Sequence, residues 1–154
     1  GRNIAIRANV HKLEVTGWDP VAREIPEFIN RQDSWPTGIE TCDFLVFACA
    51  LNKNNFHMFN NSTLENIKPG LRIINISRGQ LIDEAALIKG LKNKTIASAA
   101  LDVFEKEPLT MDNEILNYQN CILGSHNASN TFEAVMRASD EAISKLHKML
   151  KEEC

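Results

Sequence analysis

Short apolar runs rich in strand-forming residues alternate along this chain with segments of helical periodicity, and this alternation constrains the fold more than any other feature. The predicted strands cover residues 13–18, 44–49, 71–76, 96–104 and 121–125. The predicted helices cover residues 2–11, 63–68, 83–91 and 131–151. Strands that alternate with helices are typical of the α/β class, in which a doubly wound parallel sheet has helices on both faces.

Two short elements are less well defined by the pattern. Residues 25–28 form a candidate edge strand, although Pro26 cannot donate a ladder hydrogen bond. The short helix over residues 63–68 has Ser62 or Thr63 as its candidate N-cap. Both elements lie between longer runs, so neither changes the predicted fold class.

Composition and charge exclude several classes of protein. The 154 residues are 44% hydrophobic and 24% charged, which is an ordinary balance for a globular domain and rules out wholesale disorder. The formal net charge of -3 argues against non-specific binding to nucleic acid. No run reaches the roughly 18 apolar residues of a membrane span. We therefore expect neither nucleic acid nor membrane as a partner.

The four cysteines form no C-x-x-C pair, which argues against a zinc knuckle or a thioredoxin-type motif. Cys49 and Cys121 lie in apolar runs and are expected to be small buried residues, and the other two are Cys42 and Cys154. No metal site is predicted, because the histidines show no regular spacing to carboxylates or cysteines. Free thiols favour a reducing compartment, here the cytoplasm.

An acidic residue follows the first predicted strand. Asp19 ends that strand, and Gly1 stands 18 positions earlier at the start of a predicted helix. A glycine, a helix, a strand and then an acidic residue correspond to the second half of a dinucleotide fingerprint. The Asp19 carboxylate could accept both ribose hydroxyls and would repel the extra phosphate of NADP, which favours NAD. The alternatives are a simple turn aspartate before Pro20, and NADP binding assisted by Arg23.

Three complementary side chains follow three other strands, at the sheet edge where ligands bind in doubly wound folds. Arg78 could clamp a carboxylate with its planar fork. His126 with a carboxylate partner such as Glu107 could donate a proton. Taken singly, each could be a surface or structural residue. Together they suit hydride exchange between a nicotinamide and a 2-hydroxy or 2-oxo acid.

At these residues the chain resembles the NAD-binding domain of the D-isomer-specific 2-hydroxyacid dehydrogenases, the family of phosphoglycerate dehydrogenase. Two long signatures are highly specific: NISRGQLIDEAAL over residues 75–87 and AALDVFEKEP over residues 99–108. Shorter matches are GR at positions 1 and 2, VTGWDP at 15–20, CDF at 42–44, KPG at 68–70 and SHNAS at 125–129. The resemblance implies a Rossmann-type fold.

The resemblance also implies roles for single residues. Arg78 matches the arginine that binds the substrate's carboxylate and oxo group. His126 matches the catalytic histidine, and Glu107 matches its paired acid. The implied cofactor-binding positions run from the phosphate loop to the nicotinamide: Gly1, Arg2, Asp19, Cys49, Ala50, Ile76, Ser77, Arg78, Asp102, His126 and Ala128. Among these, Asp102 matches the acid near the nicotinamide carboxamide.

The resemblance implies that residues 1–154 are an N-terminally truncated NAD-binding domain. The first two glycines of the phosphate loop and the strand before them do not occur in the chain, and the substrate domain is expected to be absent. The helix over residues 131–151 resembles the one that leads back toward that domain. Such a piece alone should have little activity, and a homodimer is implied by the family.

The leading hypothesis is an NAD-dependent oxidoreductase that acts on a D-2-hydroxy acid or the corresponding 2-oxo acid. The alternative is an NADH-sensing, non-catalytic binding module similar to co-repressors of this fold. A Rossmann-like methyltransferase is a third hypothesis, but it would give Arg78, Glu107 and His126 no common role. The identity of the acid does not follow from these residues.

Overall fold

Helices and strands alternate in the computed structural model, which describes residues 1–152. The helices are α1 Arg2–Val10, α2 Asn61–Leu64, α3 Glu84–Lys92 and α4 Phe132–Glu152. The strands are β1 Val15–Gly17, β2 Ile29–Arg31, β3 Phe44–Phe47, β4 Leu71–Asn75, β5 Ile96–Leu101 and β6 Cys121–Leu123. The predicted α/β class is confirmed. Cys154 lies outside the described residues. Within residues 1–152, none of the helices is long and apolar enough to cross a membrane.

All strand pairs are parallel. One group has the order β3-β4-β5-β6, with Ile73 of β4 opposite Leu45 of β3 and Ala99 of β5. The other group is the pair β1-β2. Within residues 1–152 the two groups are not hydrogen-bonded to each other. Because parallel strands end at the same edge, the segments after β3, β4, β5 and β6 come together there.

Aromatic side chains connect the two groups of strands. The ring of Trp35 lies 6.2 Å from Trp18, which follows β1, and 6.1 Å from Phe47 at the end of β3. Phe47 in turn meets Phe59 edge-on at 6.4 Å. The Trp35 indole donates a hydrogen bond to the Met58 carbonyl at 2.8 Å. These contacts link the segment after β1 to the end of β3.

The core lies between the four-stranded group and α3. Leu71 and Ile73 of β4 and Leu87 of α3 are almost completely buried. A Cβ at Gly90 would lie 2.4 Å from Ile96 Cδ1, so the glycine allows α3 to lie close to β5. Asp83 caps α3 by accepting hydrogen bonds from the second and third backbone N–H groups. The helix is thereby fixed directly after the segment that contains Arg78.

Two short elements differ from their predictions. The candidate edge strand at residues 25–28 is wrong: the strand begins at Ile29, whose N–H donates to the Pro26 carbonyl in a turn. The predicted bounds of the short helix, residues 63–68, are also wrong, because α2 covers Asn61–Leu64. Asn60 is its N-cap and accepts from two backbone N–H groups, which places the helix start earlier than Ser62 or Thr63 would.

Burial also departs from two expectations. Cys49 and Cys121 are only half-buried. Helix α4 is confirmed, but its apolar stripe is exposed in this structure, with Val135 and Met136 about half-exposed. The other exposed members of the stripe are Phe132, Ile143, Leu146, Met149 and Leu150.

Candidate functional site

A cleft of about 640 Å³ opens at the carboxyl edge of the strands, within the size range of small-molecule sites. Six of the predicted cofactor-binding residues line it, namely Gly1, Cys49, Ala50, Ile76, Ser77 and Arg78. The remaining ones, Arg2, Asp19, Asp102, His126 and Ala128, are not part of this lining. The cleft lies between the start of α1 and the ends of β3 and β4.

A buried asparagine shapes the turn that presents Arg78. Asn75 is 1% exposed, and its Oδ1 accepts the Ser77 N–H at 3.1 Å. Its Nδ2 donates to the Arg78 carbonyl at 2.9 Å. The Ser77 hydroxyl also donates to the Cys49 carbonyl, which joins the turn to the end of β3. The sequence interpretation missed Asn75, although a polar residue inside an apolar run is a visible signal.

His126 and Glu107 form a close pair, as their predicted roles require. His126 Nδ1 lies 2.7 Å from Glu107 Oε2. The other carboxylate oxygen, Oε1, accepts the Phe104 N–H at 3.0 Å. With Nδ1 held by the carboxylate, Nε2 is the ring nitrogen left to exchange a proton with a substrate. The His126 side chain is 47% exposed, so it can be reached from outside.

Asp102 holds the turn that contains His126. The His126 backbone has φ of 59°, and its N–H donates to the Asp102 carbonyl at 2.7 Å. The Asp102 carboxylate accepts from Asn127 N at 3.1 Å and from Ala128 N at 2.8 Å. The contacts of Asp102 are therefore with this loop, and its predicted place near a nicotinamide carboxamide stays a prediction. Ala128 contributes to the same turn through its backbone.

Charge links Arg78 to the His126–Glu107 pair. The hydrogen bond from the His126 ring lowers the pKa of the Glu107 carboxyl, and the Phe104 N–H acts in the same direction. The positive charge of Arg78 lowers this pKa further, so Arg78 lies within electrostatic reach of Glu107. The structure thus brings the three predicted catalytic residues to one region of the sheet edge.

The lowered pKa of Glu107 can be tested by titration. The pair is complete above the ordinary pKa of a glutamate and is lost as the pH falls through the lowered value. We expect His126→Asn to raise the Glu107 pKa, because the largest stabilising contact of the carboxylate is removed. Carbon-13 NMR of the labelled carboxyl measures this shift. His11→Ala, a change at a distant exposed histidine, should leave it unchanged, and an unmoved Glu107 pKa in His126→Asn would contradict the assignment.

Asp19 stands in a turn near the cleft. Its Oδ1 accepts hydrogen bonds from Val21 N at 3.0 Å and Ala22 N at 3.1 Å, as in an Asx turn. Burial raises the pKa of the Cys49 thiol, and the negative charge of Asp19 adds to this rise, which places Asp19 near that wall of the cleft. The turn interpretation is therefore correct, and ribose binding by the second oxygen stays a prediction.

Gly1 and Arg2 form the start of α1. The Gly1 carbonyl accepts from Ile4 N and Ala5 N, so the first helical turn begins beside the cleft. A helix N-terminus with small residues around it favours a phosphate group. Arg2 is exposed and does not line the cleft. Among the described residues, no cluster of three or more histidine, cysteine, aspartate or glutamate side chains could hold a metal ion.

Comparison with known proteins identifies the family. Residues 1–128 match the family model described as "D-isomer specific 2-hydroxyacid dehydrogenase, NAD binding domain". D-3-phosphoglycerate dehydrogenase of Rattus norvegicus is 31% identical over 157 residues, covering 98% of this chain and 28% of the rat protein. Glyoxylate reductase of Thermofilum pendens is 38% identical over 117 residues, covering 76% of this chain and 34% of that protein. The chain thus spans about a third or less of these relatives.

Solved structures share the fold of this chain. An acyclic imino acid reductase in complex with NADPH and D-Arg has a TM-score of 0.90 at 26% identity, covering 99% of this chain and 48% of that chain. A D-isomer specific 2-hydroxyacid dehydrogenase from Lactobacillus delbrueckii, in an NAD-complexed form, has a TM-score of 0.85 at 24% identity, covering 99% and 50%. The second likeness concerns the fold alone. The chain belongs to the D-isomer specific 2-hydroxyacid dehydrogenase family, where it corresponds to the NAD(P)-binding domain.

Proposed function

We propose that this chain is the cofactor-binding part of an oxidoreductase that exchanges a hydride between a nicotinamide and C2 of a D-2-hydroxy or 2-oxo acid. The observation that carries the proposal is the His126–Glu107 pair, with 2.7 Å between Nδ1 and Oε2, within electrostatic reach of Arg78. A proton donor and a carboxylate clamp at one place are what reduction of a 2-oxo acid requires.

The protein's residues divide the remaining chemistry among them. When bound, the nicotinamide would supply the hydride to C2 or accept it. Arg78 would hold the substrate carboxylate and polarise the oxo group. His126 would give a proton to the oxo oxygen during reduction and remove it from the hydroxyl during oxidation. Glu107 would stabilise the protonated ring and keep Nδ1 turned away from the substrate.

We propose NAD as the preferred cofactor. The donor set fits a dinucleotide: the start of α1 at Gly1 suits the pyrophosphate, and Cys49, Ala50, Ile76 and Ser77 line a cleft wide enough for flat rings. Asp19 would accept the ribose hydroxyls with the oxygen that its turn does not use. A 2′-phosphate at that place would meet a negative charge.

The cofactor preference predicts the effect of Asp19→Ser. A serine hydroxyl can still accept the turn hydrogen bonds, but the charge is removed. We expect the ratio of NADPH to NADH affinity to rise about tenfold, since two unit charges near a protein surface interact with roughly 1–4 kcal/mol. Fluorescence titration of the intact protein with both cofactors measures the ratio. Asp33→Ser is the matched control, and an unchanged ratio in Asp19→Ser would refute the ribose role.

The non-catalytic NADH-sensing module has no specific support, since the relatives named above are dehydrogenases and reductases. Turnover separates the two hypotheses, because both bind NADH. The intact protein is tested with 3-phosphohydroxypyruvate, hydroxypyruvate, glyoxylate and pyruvate. Oxidation of NADH with at least one of them is expected, and none with any of them would contradict the proposal.

The remaining proposals follow from the family. Activity is expected to require the substrate domain of a longer protein, to which α4 would lead, so that residues 1–154 alone would turn over little substrate. A homodimer and a cytoplasmic location belong to the same proposal. Within residues 1–152, the cysteines Cys42, Cys49 and Cys121 form no disulfide, which is compatible with a reducing compartment.

A further inference from the structure

We propose that His57 and Glu105 are a positioning pair that sets the spacing between Arg78 and Glu107. The inference rests on the proposed function, because it concerns the geometry of that site. His57 Nε2 lies 2.8 Å from Glu105 Oε1, and the side chains are 28% and 33% exposed. Neither residue lines the cleft. This is a second histidine–carboxylate pair beside the catalytic one, with a different task.

Both oxygens of the Glu105 carboxylate are bound. Oε2 accepts the Glu84 N–H at 3.1 Å, which is the first backbone donor of α3 and is not used by the Asp83 cap. The carboxylate therefore joins the start of α3 to the loop after β3. A group fixed at two points holds its own backbone with little freedom, so the segment around Glu105 has a defined position.

Three hydrogen bonds close a ring through three loops. The His57 N–H donates to the Gln80 carbonyl at 2.8 Å. The Gln80 side chain donates to the Glu105 carbonyl at 3.0 Å. The Glu105 carboxylate is hydrogen-bonded to the His57 imidazole, which closes the circuit. This circuit of hydrogen bonds connects the loop after β3 with the loop after β4, which carries Arg78, and with the loop after β5, which carries Glu107.

The His57 backbone is held in an uncommon conformation. Its φ is 50°, a left-handed value that costs a non-glycine residue free energy and persists only where the surroundings impose it. The His57 ring stacks on Phe56, with 4.0 Å between ring centroids. Three contacts together fix the His57 imidazole: the stack on Phe56, the backbone N–H bond to Gln80 and the bond to the Glu105 carboxylate.

The two loops that carry the catalytic residues touch directly at Gly79. A Cβ at Gly79 would lie 1.8 Å from the Phe104 carbonyl oxygen, so the backbone of residues 104–105 packs on the glycine itself. Gly79 follows Arg78, and Glu105 precedes Glu107 by two residues. The Glu105 contacts on either side of this point therefore hold Arg78 and Glu107 at a fixed separation.

The test compares single and double variants of the intact protein. Glu105→Ala removes the carboxylate, and His57→Asn removes the ring while keeping a residue that tolerates the left-handed conformation. We expect each to lower kcat/KM for the 2-oxo acid between about 10-fold and 100-fold, since small misplacements cost that much. The double variant should lose no more than the larger single loss. NADH affinity should stay within about twofold.

Two further variants separate positioning from general stability. Glu105→Gln should restore most of kcat/KM, because its amide oxygen can accept the Glu84 N–H while its NH₂ donates to the His57 ring. Asp43→Ala breaks an ion pair with Lys68, 2.6 Å long, at the amino edge of the strands. It should leave kcat/KM within about twofold. The proposal would be overturned if the kcat/KM losses of the two single variants multiplied in the double variant. It would also be overturned if Glu105→Gln had a kcat/KM as low as that of Glu105→Ala.

Amide hydrogen exchange provides a readout that needs no activity. In Glu105→Ala we expect faster exchange over residues 102–108, where the Phe104 N–H is bonded to Glu107, and unchanged exchange over β4. If the wild-type protein reduces no 2-oxo acid, the proposed function fails, and hydrogen exchange alone then tests whether His57 and Glu105 hold this loop in place. Unchanged exchange over residues 102–108 in Glu105→Ala would overturn the positioning role of the pair.

Discussion

Replacement of His126 by asparagine is expected to lower the turnover of a 2-oxo acid by the intact protein by several orders of magnitude. Proton transfer by a positioned side chain contributes about 10²–10⁴-fold, and no other group bonded to Glu107 could replace the ring. Asparagine is chosen because the backbone of this residue has a φ of 59°, which alanine tolerates poorly. Steady-state kinetics at saturating NADH measures the loss.

The matched control for this variant is His147→Ala, since that side chain is exposed on α4. We expect the His147→Ala variant to keep wild-type turnover. NADH affinity in His126→Asn should fall much less than turnover, because His126 is one of eleven implied cofactor-binding positions and the main loss lies in the chemical step. Near wild-type turnover in His126→Asn would remove the histidine from the mechanism, and with it the role assigned to Glu107.

Replacement of Arg78 by alanine is expected to lower kcat/KM for the 2-oxo acid by about 10²- to 10⁴-fold. The reason is the loss of two charge-assisted hydrogen bonds to the substrate carboxylate, each worth roughly 1.5–3 kcal/mol. Arg78→Lys should recover only part of this loss, since an ammonium group cannot form the two parallel bonds of the guanidinium. Kinetics at varied oxo-acid concentration measures both variants.

The control for Arg78→Ala is Arg137→Ala, which removes an arginine that is exposed on α4 and should leave kcat/KM unchanged.

A second consequence distinguishes Arg78 from a residue that only binds substrate. Its charge contributes to the lowered pKa of Glu107, so Arg78→Ala should also raise that pKa. A wild-type kcat/KM in Arg78→Ala would contradict the clamp.

The fold was predictable where the sequence pattern is periodic. The strands β3 to β6 and the helices α3 and α4 follow from apolar runs and helical spacing. The bounds of α2 and β2 were not predictable, because Asn60 and Pro26 set them by local hydrogen bonds that compete with the pattern. The exposure of the apolar stripe of α4 was not predictable either. The spacing of apolar residues predicts which face of a helix is apolar, but not which part of the protein packs against that face.

The candidate catalytic set follows from the family resemblance and from the rule that functional residues follow parallel strands at their carboxyl ends. This rule selected Arg78, Glu107 and His126 as candidates, and their catalytic roles stay predictions. The residues that hold them were not predictable, because their contacts join distant segments: His57 and Glu105 are 48 positions apart. Likewise, nothing local indicates that Asp102 binds the backbone of a loop 25 positions later.

The fate of the hydride tests the central claim most directly. The intact protein is incubated with NADH that carries deuterium at both C4 positions of the nicotinamide. The substrate is the best 2-oxo acid of the panel other than glyoxylate, whose reduction product has no stereocentre. The product is analysed by mass spectrometry and chiral chromatography. We expect deuterium at C2 of a D-2-hydroxy acid. NADH that binds without transferring deuterium, or a product of the L configuration, would contradict it.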